Sequence, residues 1–333
     1  MFKYDWSKID LKTGLIFMIG VLIVFYVMGN TVVAVAVGTS ALLAWCTLLL
    51  VPPQSRRREF AGLAVYLVAG AALTWLSYVA SPNTAGFLIA MFVVVFVAYM
   101  MLLVGPHEFM SGWCLAYWFM LVPLLTAGNE FKAVLYAHVS GTVVVIVVNV
   151  LKPLWAGRSE VATAEPQPSE TTTAAEPSVG YMVSYATIVA SSIAAGVAIG
   201  TRFFAVDPTV IANGTLNIIS PSFKLVWRSA VERVVLVSLG IIVGFYLGWF
   251  FPNPLFGMLL TAVMAFAAMS TVMVSFGVLM GFLMVMTAYP WGVMHSEAGH
   301  LIANEKLLGD FFGVVIALVA IALLVRLQKG KPA

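Results

Sequence analysis

Residues 84–104 read TAGFLIAMFVVVFVAYMMLLV, without one charged side chain. A helix rises about 1.5 Å per residue, so a run of this length reaches roughly 30 Å, the thickness of a bilayer's hydrocarbon core. Residues 309–325 are apolar over a comparable length. Of all 333 residues 62% are hydrophobic and 9% are charged, with a mean hydropathy of +1.02. A soluble domain covers itself with about 25% charged residues. This chain has too few for a hydrated surface and reads as an all-α polytopic membrane protein.

Run length and the Gly, Pro and Asn breaks between runs predict twelve transmembrane helices, at residues 13–29, 32–51, 60–80, 84–104, 111–127, 133–154, 181–200, 203–221, 226–250, 255–273, 275–293 and 309–327. The eighth is short and polar. Lys3, Lys8 and Lys12 precede the first run as they would in a signal peptide, but no small-residue cleavage site follows. That run therefore reads as a first transmembrane helix. Twelve spans put 14 cations on one side: Lys3, Lys8, Lys12, Arg56, Arg57, Arg58, Lys152, Arg158, Lys224, Arg228, Arg233, Arg326, Lys329 and Lys331. The other side holds 3, Lys132, Arg202 and Lys306. The positive-inside rule then places both termini in the cytoplasm. The net charge of +3 follows from this topology and does not point to nucleic acid.

Residues 156–180, rich in Ala, Thr, Pro, Glu and Ser, lack the apolar side chains needed to fold and read as a disordered cytoplasmic linker. The linker separates an N-terminal membrane half, 1–155, from a C-terminal half, 181–333. The halves resemble each other. A displacement of 170 residues carries Arg58 onto Arg228, Gly70 onto Gly240, and Pro82-Asn83 onto Pro252-Asn253. A displacement of 172 carries His138 onto Asp310 and Gly141 onto Gly313. Six spans is an even number, so the expected arrangement is two parallel six-helix repeats about an axis along the membrane normal.

Ionisable groups inside spans are costly and mark pathways or interior contacts far more often than lipid-facing surface. Lys224, Arg228 and Glu232 share one helical face, and Arg233 lies one residue further round. A helix over 224–251 would be about 42 Å long, more than the core requires. These charges are therefore either interfacial anchors or a basic cytoplasmic vestibule that concentrates anions. The eighth span carries Asp207, Pro208, Asn213, Gly214, Thr215, Asn217, Ser220 and Pro221. Interrupted, polar segments of this kind form substrate sites in transporters; the alternative is a tilted or re-entrant helix whose amides bond its neighbours. His138 and Asp310, at matching places, are candidates for proton coupling, or else polar groups satisfied between helices.

Other chemistry finds little support. Cys46 and Cys114 lie within apolar segments, which argues against a disulfide framework. His295, Glu297 and His300 do not match a recognised zinc spacing, so no metal site is expected. There is no phosphate-binding loop, no Gly-x-Ser-x-Gly and no CxxC, so neither a cofactor nor an enzymatic activity is expected. Trp113, Tyr117 and Trp118 could stack a planar substrate, with interfacial anchoring as the default.

The stretch IISPSFKLVWRSAVERVVLVSLGIIVGFYLG resembles the fusaric acid resistance-like superfamily, which includes the aromatic acid exporters. In that pattern a Pro-Ser pair ends the second helix of a repeat, and a basic stretch leads into an Arg and a Gly-rich third helix. Pro221, Ser222, Arg228, Arg233, Gly240 and Gly244 fit. NEKLLGDFFGVVIALVAIALL resembles the repeat's last helix, with Glu305, Lys306, Asp310 and Gly313 in place. The resemblance covers most of the second half and, more faintly, the first. It implies an inner-membrane exporter of aromatic or other organic acids, driven by protons and working with a periplasmic adaptor. Larger relatives add a folded cytoplasmic domain where this chain has only the 156–180 linker. Plant malate-type anion channels share a related architecture, so a passive, dimeric anion channel stays open, as does a non-transporting scaffold of an envelope complex. The expected exporter would attract an organic anion with Arg228 and Arg233, line its path with Asp207, Asn213, Thr215 and Asn217, and couple to protons through His138 and Asp310.

Overall fold

In hydrocarbon a backbone must satisfy its N–H and C=O groups internally, which leaves helices and closed barrels as spanning structures. The computed structural model describes residues 5–28, 31–49, 56–126, 130–155, 178–204, 211–212, 214–216, 219, 227–271, 274–295 and 300–329, and they contain helices and short connections but no strand. The long helices are α1 (Leu11–Met28), α2 (Thr31–Leu49), α3 (Arg56–Ala80), α4 (Thr84–Met100), α5 (Pro106–Thr126), α6 (Phe131–Trp155), α7 (Val179–Phe204), α8 (Trp227–Phe250), α9 (Pro254–Thr271), α10 (Phe276–His295) and α11 (His300–Lys329).

Each expected segment except the eighth falls on one of these helices. Of the eighth, helical residues are described at 211–212 and 214–216. Nearly all of the 156–180 linker lies outside the described residues. Six helices are long and apolar enough to cross a membrane by length and composition: Glu59–Ala80, Thr84–Leu103, Phe131–Leu151, Val179–Arg202, Val231–Phe250 and Pro254–Thr271. Shorter apolar stretches run over Leu11–Ile23, Val35–Leu48, Gly277–Pro290 and Phe311–Leu327.

The helices divide into an outer and an inner set. On α1 the side chains of Leu11, Leu15, Ile19 and Ile23 are exposed, on α4 Ile89, Val93 and Val97, on α9 Leu255, Leu259 and Val263, and on α11 Phe311, Val315, Val319 and Leu323. Each row repeats every four residues, the spacing of one helical face. A continuous apolar face turned outward is stable in lipid and would be a liability in water. Among the described residues α2, α5 and α10 expose no large apolar side chain. The described part of the eighth segment, from Ile211 to Ile219, is likewise buried. A helix buried all round is an interior helix, and its neighbours bond to it: Ser77 of α3 donates to the Phe119 carbonyl of α5 at 2.8 Å.

Turns and close contacts hold this arrangement. Asn83 accepts from the Gly86 N–H at 3.2 Å at the start of α4, and Asn253 accepts from the Leu255 N–H at 2.9 Å at the start of α9. Both follow a proline and cap otherwise unsatisfied backbone donors. Along α8 and α10, Gly240 sits against the Gly281 carbonyl, Gly244 against the Val285 carbonyl, and Gly248 against the Tyr289 carbonyl. A methyl group at any of these would overlap backbone oxygen, so only glycine permits the approach. Further contacts cross between the two halves: α1 packs along α9, and α4 packs along α7.

Candidate functional site

Arg233 lies six residues into α8, about 9 Å along its axis. It is 6% exposed. Its guanidinium lies within electrostatic reach of the Tyr99 hydroxyl from α4, the Tyr185 hydroxyl from α7, and the carboxylate of its neighbour Glu232. The Tyr99 and Tyr185 rings are 5.7 Å apart, and Phe109 of α5 meets Tyr99 edge-on at 5.3 Å. Both tyrosines are buried, and the Tyr99 hydroxyl has no hydrogen-bond partner among the described residues. Glu232 faces elsewhere, because successive residues on a helix point about 100° apart. Ser275, just before α10, donates to its Oε1 at 2.5 Å, and Gly277 of α10 makes room for the side chain. The carboxylate is thus seated on α10 while the cation faces α4 and α7, where the two halves of the chain meet.

His138, on α6, is fully buried about half-way along α2, α3 and α5. Its Nδ1 is 3.0 Å from the Ser40 hydroxyl of α2, and its Nε2 is 3.3 Å from the Leu67 carbonyl of α3. The ring lies between Trp118, with centroids 5.0 Å apart, and Tyr66, at 5.3 Å. Gly70 forms the floor, and a side chain there would collide with the imidazole. The Trp118 indole N–H donates to Thr74 Oγ1 at 2.8 Å, and Thr74 donates to the Gly70 carbonyl at 2.7 Å. Cys46 and Cys114 are buried free thiols beside Tyr66.

The Thr74–Trp118 bond allows a direct test. Thr74→Val leaves a buried indole N–H without its acceptor and is expected to destabilise the protein by about 1–3 kcal/mol. Adding Trp118→Phe removes the orphaned donor but also buried volume, so the double variant is expected to lose less than the sum of the two singles. Thermal unfolding of the purified single and double variants in detergent measures both. A double variant less stable than the sum of the singles would exclude this account.

The remaining candidates are distributed differently. Thr215 is fully buried, and its hydroxyl donates to the Ile211 carbonyl at 2.8 Å and to the Gly313 carbonyl of α11 at 3.2 Å. Asp207, Asn213 and Asn217 lie outside the described residues, as do Lys224 and Glu297. For Arg228 and Asp310 the description extends to the helix backbone, on the first turn of α8 and on α11. Arg233, His138 and Thr215 therefore occupy three neighbourhoods built from different helices. Among the described residues no group of three or more His, Cys, Asp or Glu could hold a metal ion.

Spacing along the sequence did not single out Tyr99, Tyr185, Ser40, Tyr66 or Thr74. The available signal was a hydroxyl inside an otherwise apolar run, as with Tyr99 in residues 84–104. Trp113, Tyr117 and Trp118 are a correction to the expected interfacial anchors: all three are buried in α5, with Trp113 stacked on Tyr117 at 5.4 Å. Aromatic composition is shared by lipid interfaces and helix interiors, and the inner position of α5 decides between them.

The geometry defines an all-helical chain with several apolar helices, as a multi-pass membrane protein has, and a buried cation where its halves meet. No family model, no curated protein and no solved structure matches the chain.

Proposed function

We propose that the protein is an inner-membrane efflux transporter for amphipathic organic anions, coupled to protons and with both termini in the cytoplasm. The observation that carries this reading is Arg233: a residue 6% exposed, its guanidinium within electrostatic reach of Tyr99 and Tyr185 where α4 packs along α7. A cation held at this depth is costly unless it serves an interior contact or a path. A site shared by two halves is also one whose shape changes when they move against each other, which alternating access requires. The resemblance to the fusaric acid resistance-like superfamily points the same way and carries with it a periplasmic adaptor as partner.

The reading includes twelve spans in two parallel six-helix repeats. It is supported by contacts that recur about 170 residues apart. Gly62 makes room for His107 between α3 and α5, and Gly277 makes room for Glu232 between α8 and α10, at the corresponding positions. The inner helices α2 and α5 are the second and fifth segments of the first half, while 211–219 and α10 hold the same places in the second. Pro123 of α5 and Pro290 of α10 both lie inside a fifth helix. The pairing of α1 with α9 and of α4 with α7 is the reciprocal exchange that a two-fold axis generates.

The test is transport by purified protein in proteoliposomes loaded with an aromatic carboxylate such as benzoate, with and without an imposed proton gradient. The exporter reading expects accumulation against the benzoate gradient that an uncoupler abolishes. Uncoupler-insensitive, voltage-dependent flux would instead assign a passive channel, and no flux under any gradient would favour the scaffold.

A further inference from the structure

We propose that Ser40 is the positioning residue that lets His138 bind and release a proton without moving either side chain's heavy atoms. The geometry admits two complete hydrogen-bond patterns. In the neutral form the Leu67 carbonyl can only accept, so Nε2 carries the hydrogen, at 3.3 Å, and the Ser40 hydroxyl donates to Nδ1, at 3.0 Å. The same hydroxyl is 3.1 Å from the His138 carbonyl oxygen, its alternative acceptor. When a hydronium ion gives a proton to the Ser40 hydroxyl, the hydroxyl's own hydrogen passes to Nδ1, an N–H bond forms there and water leaves. Nδ1–H then donates to Ser40 Oγ, and the hydroxyl turns its new hydrogen to the His138 carbonyl. Release to water reverses these steps. No donor faces a donor in either pattern, and Thr142 holds the same carbonyl at 2.9 Å throughout.

The neighbours do not disturb this exchange with a fixed charge. From α3, Tyr66 faces the ring and its hydroxyl lies beside Ser40. From α2 and α5 the titratable groups nearby are Cys46 and Cys114, both beside Tyr66. Among the described residues no Asp, Glu, Lys or Arg of α1, α2, α3, α5 or α6 contacts the imidazole. An alanine at position 40 would leave the neutral ring without a donor and the charged ring without an acceptor.

The proposal rests on the proton-coupled reading, but its first test does not require transport. Protein carrying 15N-histidine in lipid nanodiscs is titrated by NMR between about pH 4 and pH 9, with His138→Gln to assign the resonances. The expected result is a neutral Nε2–H tautomer at high pH that converts to the doubly protonated ring. Ser40→Ala is expected to lower the proton affinity of His138 at least about tenfold, and Ser40→Thr to restore it. A neutral Nδ1–H tautomer, the absence of a titration, or an unshifted titration in Ser40→Ala would each overturn the proposal. Proteoliposomes separate the two readings. If the switch is seen while benzoate flux ignores the proton gradient, proton coupling fails and the switch stands. If flux follows the gradient and Ser40→Ala leaves its pH profile unchanged, coupling stands and the role of Ser40 fails.

Discussion

Arg233→Gln is expected to lower benzoate efflux at least about 30-fold in proteoliposomes holding equal amounts of folded protein. Glutamine keeps an amide donor near the position of Nε and removes the charge together with the two terminal donors of the fork. Hydrogen bonds to charged groups contribute about 1.5–3 kcal/mol each, and a loss of about 2 kcal/mol is roughly 30-fold in binding. Arg233→Lys restores the charge but not the planar fork, and should fall between the two. Tyr99→Phe removes a hydroxyl that the protein itself leaves unbonded among the described residues, and should cost flux without costing stability. Wild-type efflux by Arg233→Gln would remove Arg233 from the path and leave it an interior contact between helices.

The second large effect concerns folding. Gly248→Ala is expected to destabilise the protein by about 1–3 kcal/mol, and Gly244→Ala with Gly248→Ala by more. The added methyl groups would meet the carbonyl oxygens of Tyr289 and Val285 on α10, and backbone cannot move aside as a flexible side chain can. Gly180→Ala is the matched control, because a Cβ there has nothing within 4 Å. The same chemical change at that exposed position of α7 should be neutral or slightly stabilising, since alanine is the better helix former. Thermal unfolding of the three variants in one detergent decides the matter. Equal behaviour at positions 180 and 248 would contradict the close approach of α8 and α10.

These contrasts show what the sequence makes legible. Helix positions are written in apolar run length and in Gly, Pro and Asn punctuation, because the bilayer imposes the length and backbone chemistry imposes the breaks. Pro82-Asn83 and Pro252-Asn253 mark turns in both halves because the asparagine caps the helix that follows. Helix position within the bundle is not written that way. Lipid and a protein interior are equally apolar, so α5 reads like an outer helix until its neighbours are known. Arg233 stands out because charge inside a span is rare. Its surroundings do not, because Tyr99 and Tyr185 arrive from distant helices and no local spacing links them to α8. The polar set of the eighth segment is conspicuous in sequence, yet Thr215 donates to the carbonyls of its own turn and of α11. His138 likewise draws attention alone, while Ser40, which decides what the imidazole can do, is one hydroxyl among many small residues.

The crossed pairing of α1 with α9 and α4 with α7 has a consequence for assembly. Neither half has a complete set of neighbours: the first helix of each finds its longest partner in the other. Cutting the chain between residues 156 and 177 would break none of these contacts. Two separately translated fragments should therefore find each other in the membrane and restore one particle, while either fragment alone would offer lipid a seam shaped for protein. Chain connectivity then sets stoichiometry and search time, and leaves recognition to the seams.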